Sequence, residues 1–186
     1  MKVTRVLCEL SGGADSALAA VKAKQKYPGA EFHSFFVDYD HPQMVGEAEA
    51  SWLIHLKKFS LPFERYHRAN LKIGWKFSER PIVGLEDRNG NGISAIYTPL
   101  RNLVLTALAS AKASEIDAQV VITGSKGQVK IEDDPYSFKD STVPFYLMME
   151  SVVNYCQERG DSRIIIDPIL ATNRVRKMYK SEVYNE

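Results

Sequence analysis

Ser11, Gly12, Gly13, Ala14, Asp15 and Ser16 stand together between an apolar run that ends at Leu10 and the alanine-rich stretch "DSALAAVKAKQKY". Residues of these types in this order suit one chemistry above others, the holding of phosphate. Glycine lets the backbone approach a ligand and take unusual dihedrals. A helix that begins near Ala14 would aim its unpaired N–H groups and the positive end of its dipole at the loop. Phosphate binds at such helix starts. Neither G-x-x-x-x-G-K-[ST] nor G-x-G-x-x-G occurs in the chain, so the two better-known phosphate loops are excluded. The plainer alternative is a tight strand–helix turn capped by Ser11 or Asp15. A strand before, a helix after and the full S-G-G-x-D-S string favour the cradle.

The surrounding elements must bring that loop to a ligand. "KVTRVLCEL" reads as a first strand, followed by a helix that stops at the breaker pair Pro28-Gly29. "EFHSFFVDY" reads as a second strand, and "VGEAEASWLIHLKKF" as a helix with Val45, Ala48, Trp52, Ile54 and Leu56 on its apolar face. "PFERYH" is a shorter strand. Residues 70–94 carry glycine, asparagine and charge without a period and read as a long loop. "LRNLVLTALASAKASEI" is a helix, "AQVVITGS" a buried strand and "KGQVKIEDDPYSFKDS" a second long polar loop. A helix opens near Pro144 and closes at Gly160, "SRIIIDPIL" is a last strand, and "TNRVRKMYKSEVYNE" a last helix capped by Thr172 or Asn173. Strands alternating with helices imply right-handed crossovers. The expected fold is therefore α/β: a doubly wound, mostly parallel five-stranded sheet with helices on both faces, one domain over 1–186. Ligands bind such sheets beyond the carboxyl ends of the strands, which directs attention to 11–16, 38–43, 124–142 and 168–173.

Composition narrows the class. Of 186 residues, 45% are apolar and 25% charged, as in ordinary globular proteins. The formal net charge of +1 gives no bulk reason to expect stable nucleic-acid or acidic-membrane binding. The start "MKVTRVLCEL" lacks the apolar core of a secretory signal, no run has the length of a membrane span, and a cytoplasmic location is expected. Cys8 and Cys156 sit in apolar contexts and read as small core residues in a reducing compartment. No C-x-x-C pair is present, and His33, His41, His55 and His67 have no metal-ligand spacing, so no zinc is expected. The acidic run "IEDDP" reads as solvated rather than as a coordination shell. Lys126 and Arg174 lie near strand ends, where a cation can meet phosphate, although a polar loop and the basic helix "RVRKMYK" would also keep them solvated.

The string "SGGADS" resembles the signature of the PP-loop ATP pyrophosphatases, enzymes with a Rossmann-like, adenine nucleotide alpha hydrolase-like fold that adenylate a substrate and release pyrophosphate. Within that superfamily, "YTPLRNLVLTALASAKASEIDAQVVITGS" resembles the 7-cyano-7-deazaguanine synthases. Arg101 and Asn102 match a family Arg-Asn pair, Gly124 a strand-end glycine, and "DPIL" a late T-P-L strand end, with Leu100 where the family usually has glycine. The resemblance implies ATP and Mg2+ as cofactors, with magnesium held mainly through the ATP phosphates. It implies a 7-deazapurine carboxylate and ammonia as substrates, and a nitrile product. It puts Ser11, Gly12, Gly13, Ala14, Asp15, Ser16, Val37, Asp38, Tyr39, Gly124 and Lys126 around ATP. Arg101, Asn102 and Asp140 would face the substrate, and Asp15, Ser16, Arg101 and Arg174 would carry catalysis. Glu47 matches a glutamate on the family's second helix. The family's zinc-binding cysteines are absent, Ser141 standing near the expected place of one and Arg174 near the place of a family lysine. A shortened, zinc-free relative, of the sort a phage could encode for its host's cytoplasm, is the resulting expectation, with a homodimer as an open option. Other adenylating activities (amide-forming, conjugating or tRNA-modifying) and a non-catalytic nucleotide binder remain alternatives at this point.

Overall fold

The computed structural model describes residues 2–40, 44–72, 78–86, 92–98, 100–126, 139–158 and 163–171. In chain order the main elements are β1 (Arg5–Glu9), α1 (Ala14–Lys26), β2 (Glu31–Asp38), α2 (Met44–Leu53), β3 (Tyr66–Asn70), β4 (Ser78–Glu86), β5 (Gly92–Tyr97), α3 (Arg101–Glu115), β6 (Val120–Thr123), α4 (Val143–Tyr155) and β7 (Ile165–Pro168). Five strands form one sheet in the order β3-β2-β1-β6-β7, and every pairing in it is parallel. The chain winds outward from β1 in one direction, then returns to add β6 on the other side. The order therefore reverses between β1 and β6, and a crevice opens there beyond the strand ends.

Alternation along the strands divides the core in two. Val6, Cys8, Val120 and Ile122 pack with Ala19, Ala20 and Ala23 of α1. Leu7, Phe35 and Val121 pack on the other face with Ala109 and Ala113 of α3 and Tyr146 and Met149 of α4. Alanines on the inner sides of α1 and α3 let both helices lie close to the sheet. Gly29 at φ +82° turns the chain after α1, as the Pro28-Gly29 pair predicts.

Three local readings change. Much of the stretch expected as a loop over 70–94 is strand: β4 and β5 pair antiparallel as a separate two-stranded sheet. α2 turns a different face inward. Met44 and Ser51 are buried, as is His55 in the π-helical turn Ile54–Lys58 that follows, while Val45 and Leu56 are exposed. Hydrogen bonds explain the polar choice: Ser51 Oγ donates to Leu10 O at 2.5 Å, and the His55 ring nitrogens meet Ser34 Oγ and Pro62 O at 2.9 and 3.0 Å. Buried polar groups with partners substitute for an apolar stripe. Cys8 is buried as expected, with burial pushing its thiol pKa up, but Cys156 is exposed past the end of α4. The expected last helix and the "IEDDP" run lie outside the described residues.

Candidate functional site

The loop after β1 is shaped by two glycines that the fold requires. Gly12 has φ +86°, and a Cβ there would stand 2.4 Å from Glu47 O. Gly124, just past β6, packs on the first turn of α1, where a Cβ would come within 3.0 Å of Ser16 N. Gly13 is different. Its φ −76° and ψ 159° suit any residue, and the nearest described atom to an added Cβ is Ser11 Oγ at 3.6 Å. No described contact demands glycine at 13, so the missing side chain serves open space in front of the loop.

Gly13 is the N-cap of α1, and no side chain caps that helix start. The serines bond around the loop instead. Ser16 Oγ donates to Gly13 O at 2.8 Å, Ser11 Oγ donates to Ser16 Oγ at 3.2 Å, and Gly13 N donates to Ser11 Oγ at 3.4 Å. The capped turn, the plainer reading of this stretch, is not what forms. The first-turn N–H groups keep their capacity to bind an anion.

A cavity of about 490 Å³ opens at the reversal point. Glu9 and Leu10 of the β1 end, Ser11, Asp15 and Ser16 of the loop and α1, Phe35–Val37 of β2 and Tyr39 just past it form one part of its wall. Arg101, Asn102, Leu105 and Thr106 of α3, the segment Thr123–Lys126 and Tyr146 of α4 form the rest, with Glu47 and Ser141 at the edges. The N-termini of α1 and α3 both begin here, and Arg101 adds a full charge to the second. Lys126 Nζ lies 3.2 Å from Asp15 Oδ2, a solvent-exposed pair. Burial pushes the Tyr39 phenol pKa up, while Arg101 beside it pulls the other way. The opening sets Arg101 and Lys126 among the carboxylates of Asp15, Glu47 and Glu9, over a polar and aromatic interior.

The wall is braced. Asn102 Nδ2 donates to Asp140 O at 3.1 Å and to Ser141 Oγ at 3.0 Å, and Ser125 Oγ donates to Ser141 O at 2.6 Å. α4 then starts at Thr142, whose Oγ1 accepts from Phe145 N at 3.4 Å. The turn Lys139–Ser141 is thus held to α3 and to the β6 end.

Of the residues singled out in the sequence, Ser11, Asp15, Ser16, Val37, Tyr39, Glu47, Arg101, Asn102, Gly124 and Lys126 come together around this cavity. Gly12, Gly13 and Ala14 form the loop beneath them. Asp38 turns aside to β3, where its Oδ2 accepts from Arg68 Nη2 at 2.5 Å, and Asp140 contributes its carbonyl to the brace rather than a side chain to the lining. Arg174 lies outside the described residues. The sequence reading misses Glu9. Its Oε1 is shut from solvent and has no hydrogen-bond partner, and desolvation pushes its pKa up to about 8. The available signal was a lone carboxylate inside the apolar run "VLCEL".

A glycine-shaped loop at an uncapped helix start, set at the reversal of a parallel sheet, places this chain in the PP-loop class of α/β proteins. Residues 5–183 match the family described as queuosine biosynthesis protein QueC; the chain belongs to that family. It is 27% identical over 166 residues to the 7-cyano-7-deazaguanine synthase of Methanococcus aeolicus, a match spanning 81% of this chain and 66% of that protein. It is 27% identical over 173 residues to the synthase of the same name from Campylobacter fetus, spanning 89% and 71% of the two chains. With the one from Campylobacter concisus the figures are 25% over 182 residues, spanning 95% and 78%. The chain thus spans just under two thirds of the first relative's length. Among the described residues no helix is long and apolar enough to cross a membrane.

Proposed function

We propose that this protein is an ATP-dependent carbon–nitrogen ligase that converts 7-carboxy-7-deazaguanine and ammonia to 7-cyano-7-deazaguanine, releasing AMP and pyrophosphate. The observation that carries the reading is the uncapped first turn of α1 behind Gly13, opening into the cavity of a QueC-family chain. The relatives' shared name, 7-cyano-7-deazaguanine synthase, supports the choice of product.

A carboxylate is a poor electrophile, and adenylation gives it a good leaving group. Ammonia then forms the amide, and a second adenylation, at the amide oxygen, precedes loss of AMP to give the nitrile. The chain's part is positioning and charge stabilisation. The N–H groups of Ala14, Asp15 and Ser16, with the hydroxyls of Ser11 and Ser16, receive the phosphate oxygens. Lys126 exchanges Asp15 for phosphate charge. Asp15 would then be free to help hold magnesium, which would supply hard charge neutralisation at the phosphates. Val37 and Tyr39 border the adenine side. Arg101 and Asn102 hold the acceptor substrate, with Arg101 suited to its carboxylate by planar, bidentate geometry. Arg174 has the charge to serve the same phosphates. Cytoplasmic action on a free heterocycle, without zinc, completes the reading.

Mass spectrometry after incubation with magnesium-ATP, ammonium and 7-carboxy-7-deazaguanine tests it. The expected product has the nitrile mass, with two AMP per turnover. Amide alone, with one AMP, would remove the nitrile assignment and leave an amide-forming PP-loop enzyme. ATP binding without pyrophosphate release would leave only a nucleotide binder.

A further inference from the structure

We propose that Glu9 is a specificity-determining, ligand-contacting residue whose carboxyl group accepts an N–H hydrogen bond from the nitrogen-bearing reactant in the cavity. Two reactants carry that chemistry, the lactam–amidine edge of the deazapurine and the ammonium that supplies the nitrogen, and the inference rests on the function proposed above.

Glu9 is the last residue of β1. Cys8 faces α1, so alternation turns Glu9 to the side covered by α3 and α4. There it lines the cavity with Phe35, Thr106 and Tyr146. No described cation pairs with it. Lys126 is engaged with Asp15, Arg101 with Tyr39, and the Tyr146 hydroxyl accepts from Thr123 Oγ1 at 3.3 Å. A carboxyl with one oxygen shut from solvent and no partner for it opposes folding, and an apolar side chain of similar size would pack there at less cost. The group makes sense when its partner is a ligand. An ionised carboxylate only accepts hydrogen bonds, so it suits N–H donors and repels phosphate, which the α1 start already accommodates.

Desolvation agrees with this division of labour. With its pKa pushed up to about 8, Glu9 is uncharged at neutral pH and ionises as an N–H donor arrives. The other titratable groups that open on the cavity are Asp15, Tyr39, Glu47, Arg101, Lys126 and Tyr146. Tyr146 from α4 and Cys8 from β1 both sense the charge on Glu9.

The test uses the full chain as wild type, Glu9→Gln and Glu9→Leu. Calorimetry measures binding of ATP and of 7-carboxy-7-deazaguanine, steady-state assays give KM for ammonium, and thermal melts report stability. ATP affinity should be unchanged and the Glu9→Leu melting temperature no lower than wild type. Loss of a charged acceptor should weaken one reactant by about 10- to 100-fold. A weaker heterocycle identifies its edge as the donor; a raised KM for ammonium with heterocycle affinity unchanged identifies ammonium. The affected affinity should rise with pH up to about 8 in wild type and lose that rise in Glu9→Gln. Variants that treat every ligand as wild type does, or that melt earlier and lose ATP along with the rest, would overturn the role of Glu9 alone. A wild-type protein that binds ATP but ignores the heterocycle would overturn the proposed function instead.

Discussion

Two glutamates on neighbouring strands have opposite fates. Glu31 opens β2, where its register partner is Arg5; Glu9 closes β1, opposite Phe35. At Glu31 everything meets a partner. Its Oε1 accepts from Arg5 Nε at 2.7 Å and from His33 Nε2 at 2.8 Å, and its Oε2 accepts from Arg65 Nη2 at 3.0 Å. His33 in turn shares a 2.9 Å hydrogen bond with His67. The His33 hydrogen bond, then those of the arginines, pull the Glu31 pKa down to about 2. At Glu9, four residues along from Arg5 on the same strand, burial without a partner drives the pKa up to about 8. Around Glu31, at the amino end, the charge is closed within the protein; around Glu9, at the carboxyl end, it is left open on the cavity, although Asp38 at that same end is paired with Arg68.

The sharpest way to separate the two ends is Asp15→Asn or Ser16→Ala. Turnover, read as pyrophosphate release, should fall by about 100-fold or more if these groups stabilise developing charge. Melting temperature should barely move for Asp15→Asn, because that side chain is half-exposed. Parallel losses of activity and melting temperature in both variants would return the string to a structural role.

Gly12→Ala tests whether the open end still contains rigid parts. Its positive φ and the 2.4 Å approach to Glu47 O should cost about 2–4 kcal/mol in denaturant unfolding. Gly13→Ala should leave stability nearly unchanged and weaken ATP binding. At the closed end, Glu31→Gln should cost about 1 kcal/mol, since Glu31 and its two arginine partners are partly exposed and screened, with turnover retained. Equal turnover losses at Glu31 and Asp15 would erase the contrast.

A pH series reads both carboxyls at once. Glu31 has its pKa depressed in the folded state, so its stabilisation is complete above the ordinary 4.5 and disappears as pH falls toward about 2. Glu9 has its pKa raised, so stability should decline as pH climbs from 4.5 to about 8. Melts of Glu31→Gln should lose the acid dependence, and melts of Glu9→Gln the decline across neutrality. The smallest effect belongs to Leu100, which holds φ +60° at the start of α3. Leu100→Gly should raise stability by about 0.5–1 kcal/mol, relief of left-handed strain exceeding the entropy of glycine.

The five parallel strands could be read from the sequence because their apolar runs are short, bounded by breakers and spaced by helical patterns. The S-G-G-x-D-S loop was readable as a unit because all of its parts are adjacent in the chain. Other features depend on distance. Arg5, Glu31 and Arg65 meet only after β1, β2 and the turn before β3 have come together, and no local pattern announces that. Glu9 hid at the end of a strand whose central residues are buried on both faces, where a period-2 test has nothing to contrast. The β4–β5 pair was obscured by "DRNGNG", which reads as loop but also carries Asn-Gly hairpin chemistry. α2 misled because its inward side chains include Ser51 and, one turn on, His55, residues that need partners from Leu10, Ser34 and Pro62 to be buried.

α1 has a second anchor, remote from the cradle. Its last turn is fastened by the buried Asp167 of β7, whose Oδ2 accepts from Lys26 Nζ at 2.6 Å and from Tyr27 Oη at 3.2 Å. The 13 residues of the helix form a strut about 20 Å long at 1.5 Å per residue. A strut converts small rotations at its foot into travel at its tip: a tilt of about 3° moves the far end by about 1 Å, a displacement that can cost a reaction about 100-fold. The aim of the Gly13 end is therefore set in part by a carboxylate outside the cavity lining.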